Sequence, residues 1–124
     1  STLMHMHAIN MDLKKEPSKD RIIEIIKAHP RMGLVKKGMG ITSSAELKEY
    51  VSDIGRPRSD LWENGIFEES LGIDGNELYL FQAIHQEADV VVENVDAIRA
   101  MTGTEKDPNK SVKMTNEALG FTAI

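Results

Sequence analysis

The chain has 124 residues, a formal net charge of −5 and a pI near 5.3, with 40% hydrophobic residues, 28% charged residues and no cysteine. That length suits one domain able to bury a core without disulfides or metals. The mixed charges form no basic block, which excludes a nucleic-acid surface; no apolar run approaches the roughly 20 residues that span a bilayer; and the piece carries neither a disulfide framework nor a thiol nucleophile.

Residues 3–14 read as a long strand. Leu3, His5, His7, Ile9, Met11 and Leu13 share one face, and Met4, Met6, Ala8, Asn10 and Asp12 the other. Apolar residues on both sides at its start predict burial on both faces. An opening of this kind, with no initiator Met and no polar tail, is expected of a piece cut from a larger protein. Pro17 breaks the strand and Ser18 is placed to cap a helix whose apolar positions are Ile22, Ile23, Ile25, Ile26 and Ala28, ending before Pro30. A short strand over residues 31–35 and a mobile loop over 36–40 follow.

Ser43-Ser44-Ala45-Glu46 has the form of a capping box, and Leu47, Tyr50, Val51 and Ile54 recur at helical spacing until Gly55 closes the helix. After a loop with two arginines, residues 61–67 and 70–73 read as strands; Asp74-Gly75-Asn76 is a tight hairpin turn, and residues 77–85 form the return strand. A helix is expected over 91–101 with Val95, Ile98 and Met101 inward, and a last helix runs from the Asp107-Pro108 start to about Leu119. The order implies an α+β domain, with a mixed, largely antiparallel sheet and helices packed on one face. No Gly-rich dinucleotide fingerprint is present.

Three groups of residues could carry chemistry. His5 and His7 stand side by side on one strand face. They are either buried structural histidines, two ligands of a metal with flanking methionines, or an acid/base pair whose partner lies elsewhere. His29 and His85 stand alone, so no third ligand is evident. His85-Gln86-Glu87-Ala88-Asp89 sits where a strand hands over to a helix; Gln86 could grip an amide, and Asp89 could simply cap the helix. Arg56 and Arg58 form an anion clamp, a salt-bridged surface loop, or a subunit contact with Asp60 and Glu63.

Four blocks now stand in order: Thr2-Leu3-Met4-His5-Met6-His7, Gly55-Arg56-Pro57-Arg58-Ser59-Asp60-Leu61, His85-Gln86-Glu87-Ala88-Asp89-Val90 and Glu93-Asn94-Val95-Asp96-Ala97-Ile98-Arg99. Together with Lys113-Met114-Thr115-Asn116-Glu117 they resemble the C-terminal part of the archaeal type of phosphorylating glyceraldehyde-3-phosphate dehydrogenase, over essentially the whole chain. The resemblance implies that residues 1–124 are a partial catalytic domain whose Rossmann domain and catalytic cysteine lie outside this sequence. In such an enzyme a Cys thiolate attacks the aldehyde of glyceraldehyde 3-phosphate, a histidine serves as base, hydride passes to NAD or NADP, and inorganic phosphate releases 1,3-bisphosphoglycerate.

By that resemblance the base is His5, with His7 as second choice, and Gln86 contacts the nicotinamide end of a cofactor bound mainly by the other domain. Thr2, Arg56 and Arg58 are candidates for phosphate or subunit contacts. No metal, nucleic acid or membrane is implied, and the parent is expected to be a cytoplasmic homotetramer, the piece alone being inactive. One departure is Val92, where the family helix has Pro, expected at the first or second helical position. Two other readings remain: a non-catalytic interaction module built on the Arg56–Arg58 loop, and a small His/Met metal-binding protein.

Overall fold

The protein is described by a computed structural model over residues 4–124. Its elements are β1 (His5–Asp12), α1 (Lys19–Ala28), β2 (Met32–Val35), α2 (Ser44–Asp53), β3 (Asn64–Phe67), β4 (Gly72–Asp74), β5 (Glu77–Ile84), α3 (Gln86–Thr102) and α4 (Pro108–Leu119). Strand order is β1-β5-β3-β2, with β4 paired to the start of β5; β2 and β3 are parallel and every other pair is antiparallel. The α+β class and the mixed, largely antiparallel sheet follow the sequence pattern.

Strand alternation sorts the core. Val35 and Ala83 join Leu47 and Val51 of α2, while Leu34, Ile66, Leu78 and Leu80 join Ile22, Ile23 and Ile26 of α1. The two helices therefore lie over opposite faces of the sheet, not on one face as the element order implied, because alternate residues of β2 and β5 are apolar on both sides. Each fully buried Leu or Ile in these clusters contributes about 1.5–3 kcal/mol relative to exposure.

Helix starts match their local chemistry. Ser18 Oγ accepts the Arg21 N–H at 3.2 Å, and Ser43 Oγ accepts that of Glu46 at 3.2 Å. Glu46 reaches back one residue further than a capping box requires, accepting the Thr42 N–H at 2.7 Å and its hydroxyl at 3.0 Å. The Thr42 N–H, then its hydroxyl, hold the Glu46 carboxyl below the usual range. Asp107 accepts the Asn109 N–H at 2.9 Å ahead of Pro108.

Five expectations about single elements change. β1 is not buried on both faces: only β5 borders it, and the side chains from His5 to Ala8 are exposed. Alternating hydropathy records which faces are apolar, not how many strands flank them. The predicted strand over 61–67 is paired only from Asn64, because Leu61 gives its N–H to the His85 imidazole instead. The loop at 36–40 contains a 3-10 turn, Lys37–Met39. Finally, α3 begins at Gln86 rather than near 91, so Val92 lies in the helix interior, buried, and not in its first two positions. Ile98 and Met101 point outward, Met101 at 86% exposure; the buried face of α3 is Ala88, Asp89 and Val92.

Two polar networks tie the ends of the chain to the sheet. In the first, Arg56 is buried against the touching rings of Trp62 and Phe121, its guanidinium carbon 4.9 and 4.8 Å from the two ring centres. It makes a bidentate pair with Glu63 at 2.5 and 2.7 Å and donates to the Thr122 carbonyl at 2.6 Å. The tail continues to Ile124, whose side chain lies so close to Gly33 that a Cβ there would stand 2.5 Å from it. In the second network, Asp96 accepts from Ser111 Oγ at 2.7 Å, Thr115 Oγ at 2.9 Å and Arg31 at 3.1 Å, while Arg31 also donates to Asn116 at 2.5 Å. It joins α3 and α4 to the residue ahead of β2. Burial pushes the Asp96 carboxyl up, but the two hydroxyls and the Arg31 guanidinium outweigh it and hold the group below its ordinary range.

Glu63→Ala strands a buried guanidinium, so urea unfolding should show a loss of about 3–5 kcal/mol; a loss below about 1 kcal/mol contradicts the assigned role. Because the folded Asp96 pKa is depressed, its contribution is complete above the ordinary carboxylate range and is lost as pH falls through the folded value. Unfolding measured from about pH 5 down to pH 2 should therefore steepen for the native protein relative to Asp96→Asn, whose curve should be flatter.

Candidate functional site

β1 and β5 run antiparallel with His5 opposite Ile84 and His7 opposite Gln82. Residues directly opposite across such a pair share a face, so both imidazoles stand on the face that carries Ile84 and Gln82. Since β5 ends at Ile84 and α3 starts two residues later, His5 and Gln86 lie at the same end of the sheet. His5, His7 and Gln86 are all exposed. The two rings meet edge-on, with centres 6.4 Å apart. His7 Nδ1 lies 3.4 Å from the Gln82 amide nitrogen, whereas the His5 imidazole makes no hydrogen bond to another described residue.

The handover from β5 to α3 is built around His85. Its imidazole is buried, its Nδ1 accepts the Leu61 N–H at 3.2 Å, and its carbonyl accepts the N–H groups of Ala88 at 2.8 Å and Asp89 at 3.0 Å. Asp89 therefore sits inside the first turn and is not the cap; it is buried, and its Oδ1 has no hydrogen-bond partner. Gln86, the first helical residue, presents its amide outward at the end of the sheet.

The two arginines separate. The Nη atoms of Arg56 donate to Glu63, the Asp60 carbonyl and the tail, its buried Nε has no partner, and its side chain is 3% exposed, so the geometry gives it a structural role in this chain. Arg58 is exposed and pairs with Asp60 at 2.8 Å, and that carboxylate holds the guanidinium pKa above its ordinary value. Arg58 and Ser59 both adopt left-handed backbone, φ 56 and 57, a conformation that costs a non-glycine residue about 1 kcal/mol or more. Thr2 lies outside the described residues.

Among the described residues no three His, Asp or Glu side chains converge as metal ligands, and no helix is long and apolar enough to cross a membrane. Grooves of about 460 and 490 Å³ run along α1 and α4, lined by Ala28, Pro30, Asn109 and Val112 in common; neither includes His5 or Gln86. The His5–Gln86 end is an open surface. It offers an imidazole able to take up a proton and an amide able both to donate and to accept. Sequence reasoning overlooked His85 as the residue linking the arginine loop to α3, and it set Glu63 beside the arginines in a subunit contact, whereas the pair of Arg56 and Glu63 is buried within the chain. A buried Glu seven residues beyond an Arg leaves no local pattern to read.

No family model matches the chain. Among curated relatives, it is 60% identical over 124 residues to the glyceraldehyde-3-phosphate dehydrogenase of Methanoregula boonei, 53% over 121 residues to that of Methanobacterium bryantii, and 47% over 120 residues to that of Haloarcula marismortui. These alignments take in 100%, 98% and 97% of the chain but only 36%, 36% and 34% of the relatives. The chain thus spans about a third of the length of the curated relatives it matches. From end to end it is similar to one part of the archaeal glyceraldehyde-3-phosphate dehydrogenases, the family its four sequence blocks resemble.

Proposed function

We propose that the chain is the C-terminal, catalytic-domain portion of a phosphorylating glyceraldehyde-3-phosphate dehydrogenase. The activity belongs to the parent enzyme, because the nucleophilic thiol and the nucleotide-binding domain come from sequence outside this chain. The observation that carries the reading is the pairing of an exposed imidazole, His5, with an exposed amide, Gln86, at one end of the sheet, within a chain similar to these dehydrogenases throughout.

In this reading His5 withdraws the proton of the thiol and gives it to the carbonyl oxygen as the thiolate adds to the aldehyde carbon; it takes that proton back as general base when the adduct is oxidised to the thioester, from which inorganic phosphate then displaces the thiolate. His5 is favoured over His7 because His7 is already beside Gln82. NAD or NADP supplies hydride acceptance when bound. The residues present fit only its nicotinamide end, since the Gln86 amide can pair with a carboxamide and the chain has no Gly-rich phosphate loop. Arg58 and Thr2 are the candidates for phosphate or subunit contact. The enzyme works in the cytoplasm as a homotetramer, and the bare sheet face carrying Met6, Tyr79 and Phe81, the last 52% exposed, supports contact with a second copy.

His5→Asn in the full-length enzyme should lower kcat by about 10²–10⁴-fold while cofactor binding stays near native. His7→Asn should cost far less, and the reverse ranking moves the base to His7. Phe81→Asp should shift the assembled enzyme to smaller species in sedimentation velocity; an unchanged tetramer removes this face from the interface.

A further inference from the structure

His85 takes no part in the chemistry just described, yet it is the best-connected residue at that end of the sheet. Its ring is 4% exposed, and the ring and the backbone do different jobs. The carbonyl starts α3 by accepting from Ala88 and Asp89, and Nδ1 accepts the N–H of Leu61 at 3.2 Å. That bond requires the tautomer with its proton on Nε2. Leu61 is itself fully buried, packed with Met4, Leu47 and Ala83. It directly follows the Arg56–Asp60 segment, whose two left-handed residues leave it little freedom. The cap position of α3 has no side-chain cap bond of its own. The direction in which the first helical residue leaves the sheet is therefore set by the tie between the His85 ring and the Leu61 backbone.

We propose that His85 is the positioning residue for Gln86. Its imidazole anchors the start of α3 to the Leu61 backbone and so fixes where the Gln86 amide meets the nicotinamide end of the cofactor. This rests on the reading of Gln86 as a cofactor contact. Removing the acceptor leaves a buried N–H unpaired and frees the first turn to shift. The loss should fall on cofactor affinity and spare the aldehyde site and the base.

The test uses the full-length enzyme with three substitutions, read by steady-state kinetics with NAD and NADP and by thermal unfolding. His85→Leu keeps the bulk and deletes the acceptor. His85→Asn restores an acceptor at Oδ1, close to the position of Nδ1. Gln86→Leu tests the underlying contact. The expected result is a cofactor KM raised about tenfold in His85→Leu and in Gln86→Leu; in His85→Leu, kcat at saturating cofactor and KM for the aldehyde should each stay within about threefold of native. His85→Asn should return the cofactor KM to within about threefold of native. If Gln86→Leu raises the cofactor KM and His85→Leu does not, the positioning role is wrong. A uniform fall in all parameters without rescue by His85→Asn also overturns it, since that marks a merely structural residue. If Gln86→Leu itself leaves the cofactor KM native, the contact reading fails first.

Discussion

A guanidinium removed from water must find its hydrogen-bond acceptors inside the protein, and Arg56 draws them from two separate stretches of chain, residues 60–63 and the tail. Glu63 supplies both carboxylate oxygens, Thr122 a carbonyl, and Trp62 and Phe121 two ring faces. Desolvating both ions costs several kcal/mol each, so such a pair adds little net stability; breaking it is what is severe. Its effect here is geometric. With Arg56 and Glu63 locked together, the six residues between them must close a tight loop, which explains the left-handed pair at Arg58 and Ser59. That loop delivers Leu61 to His85, and His85 launches α3. A buried charge pair thus sets the frame in which Gln86 is displayed.

The local signals in the sequence proved legible wherever one residue type satisfies one backbone need. Ser18, Ser43 and Asp107 cap the helices they were expected to cap, and Asp74-Gly75-Asn76 turns the hairpin. The start of α3 was not legible, because its cap is a histidine whose ring is turned to another segment. The face of α3 was misread because its inner side carries Asp89 and the polar residues Asp96 and Arg99, whereas Ile98 and Met101 lie outside. Arg56 was misread as accessible because a Gly-Arg-Pro-Arg segment has the composition of a surface loop. What buries it, the tail at Thr122, is sixty-six residues away in sequence.

The candidate site was half legible. Two histidines at alternate strand positions announce a shared face, and that is where they stand. Their accessibility depends on β1 lying at the edge of the sheet, which no pattern within residues 3–14 can reveal. The distribution of chemistry follows from the same fact. An edge strand offers its side chains and its unpaired backbone to whatever comes beside it, so the imidazole of His5 is available to a group supplied from outside the chain.

The cluster around Arg56 has one further consequence. Trp62 is the single tryptophan of the sequence, and it is buried with its ring 5.8 Å from that of Phe121 and a guanidinium close to its face. Its indole therefore emits from a dry, charged cage made jointly by the arginine loop and the tail. Because Trp62 also packs on Ala88 and Val92, an event that lifts the tail or shifts α3 changes the surroundings of that indole, so its emission and its quenching by solutes report on the packing of loop, tail and α3 together, without a label. The chain carries its own optical gauge at the junction on which the loop, α3 and the displayed amide all depend.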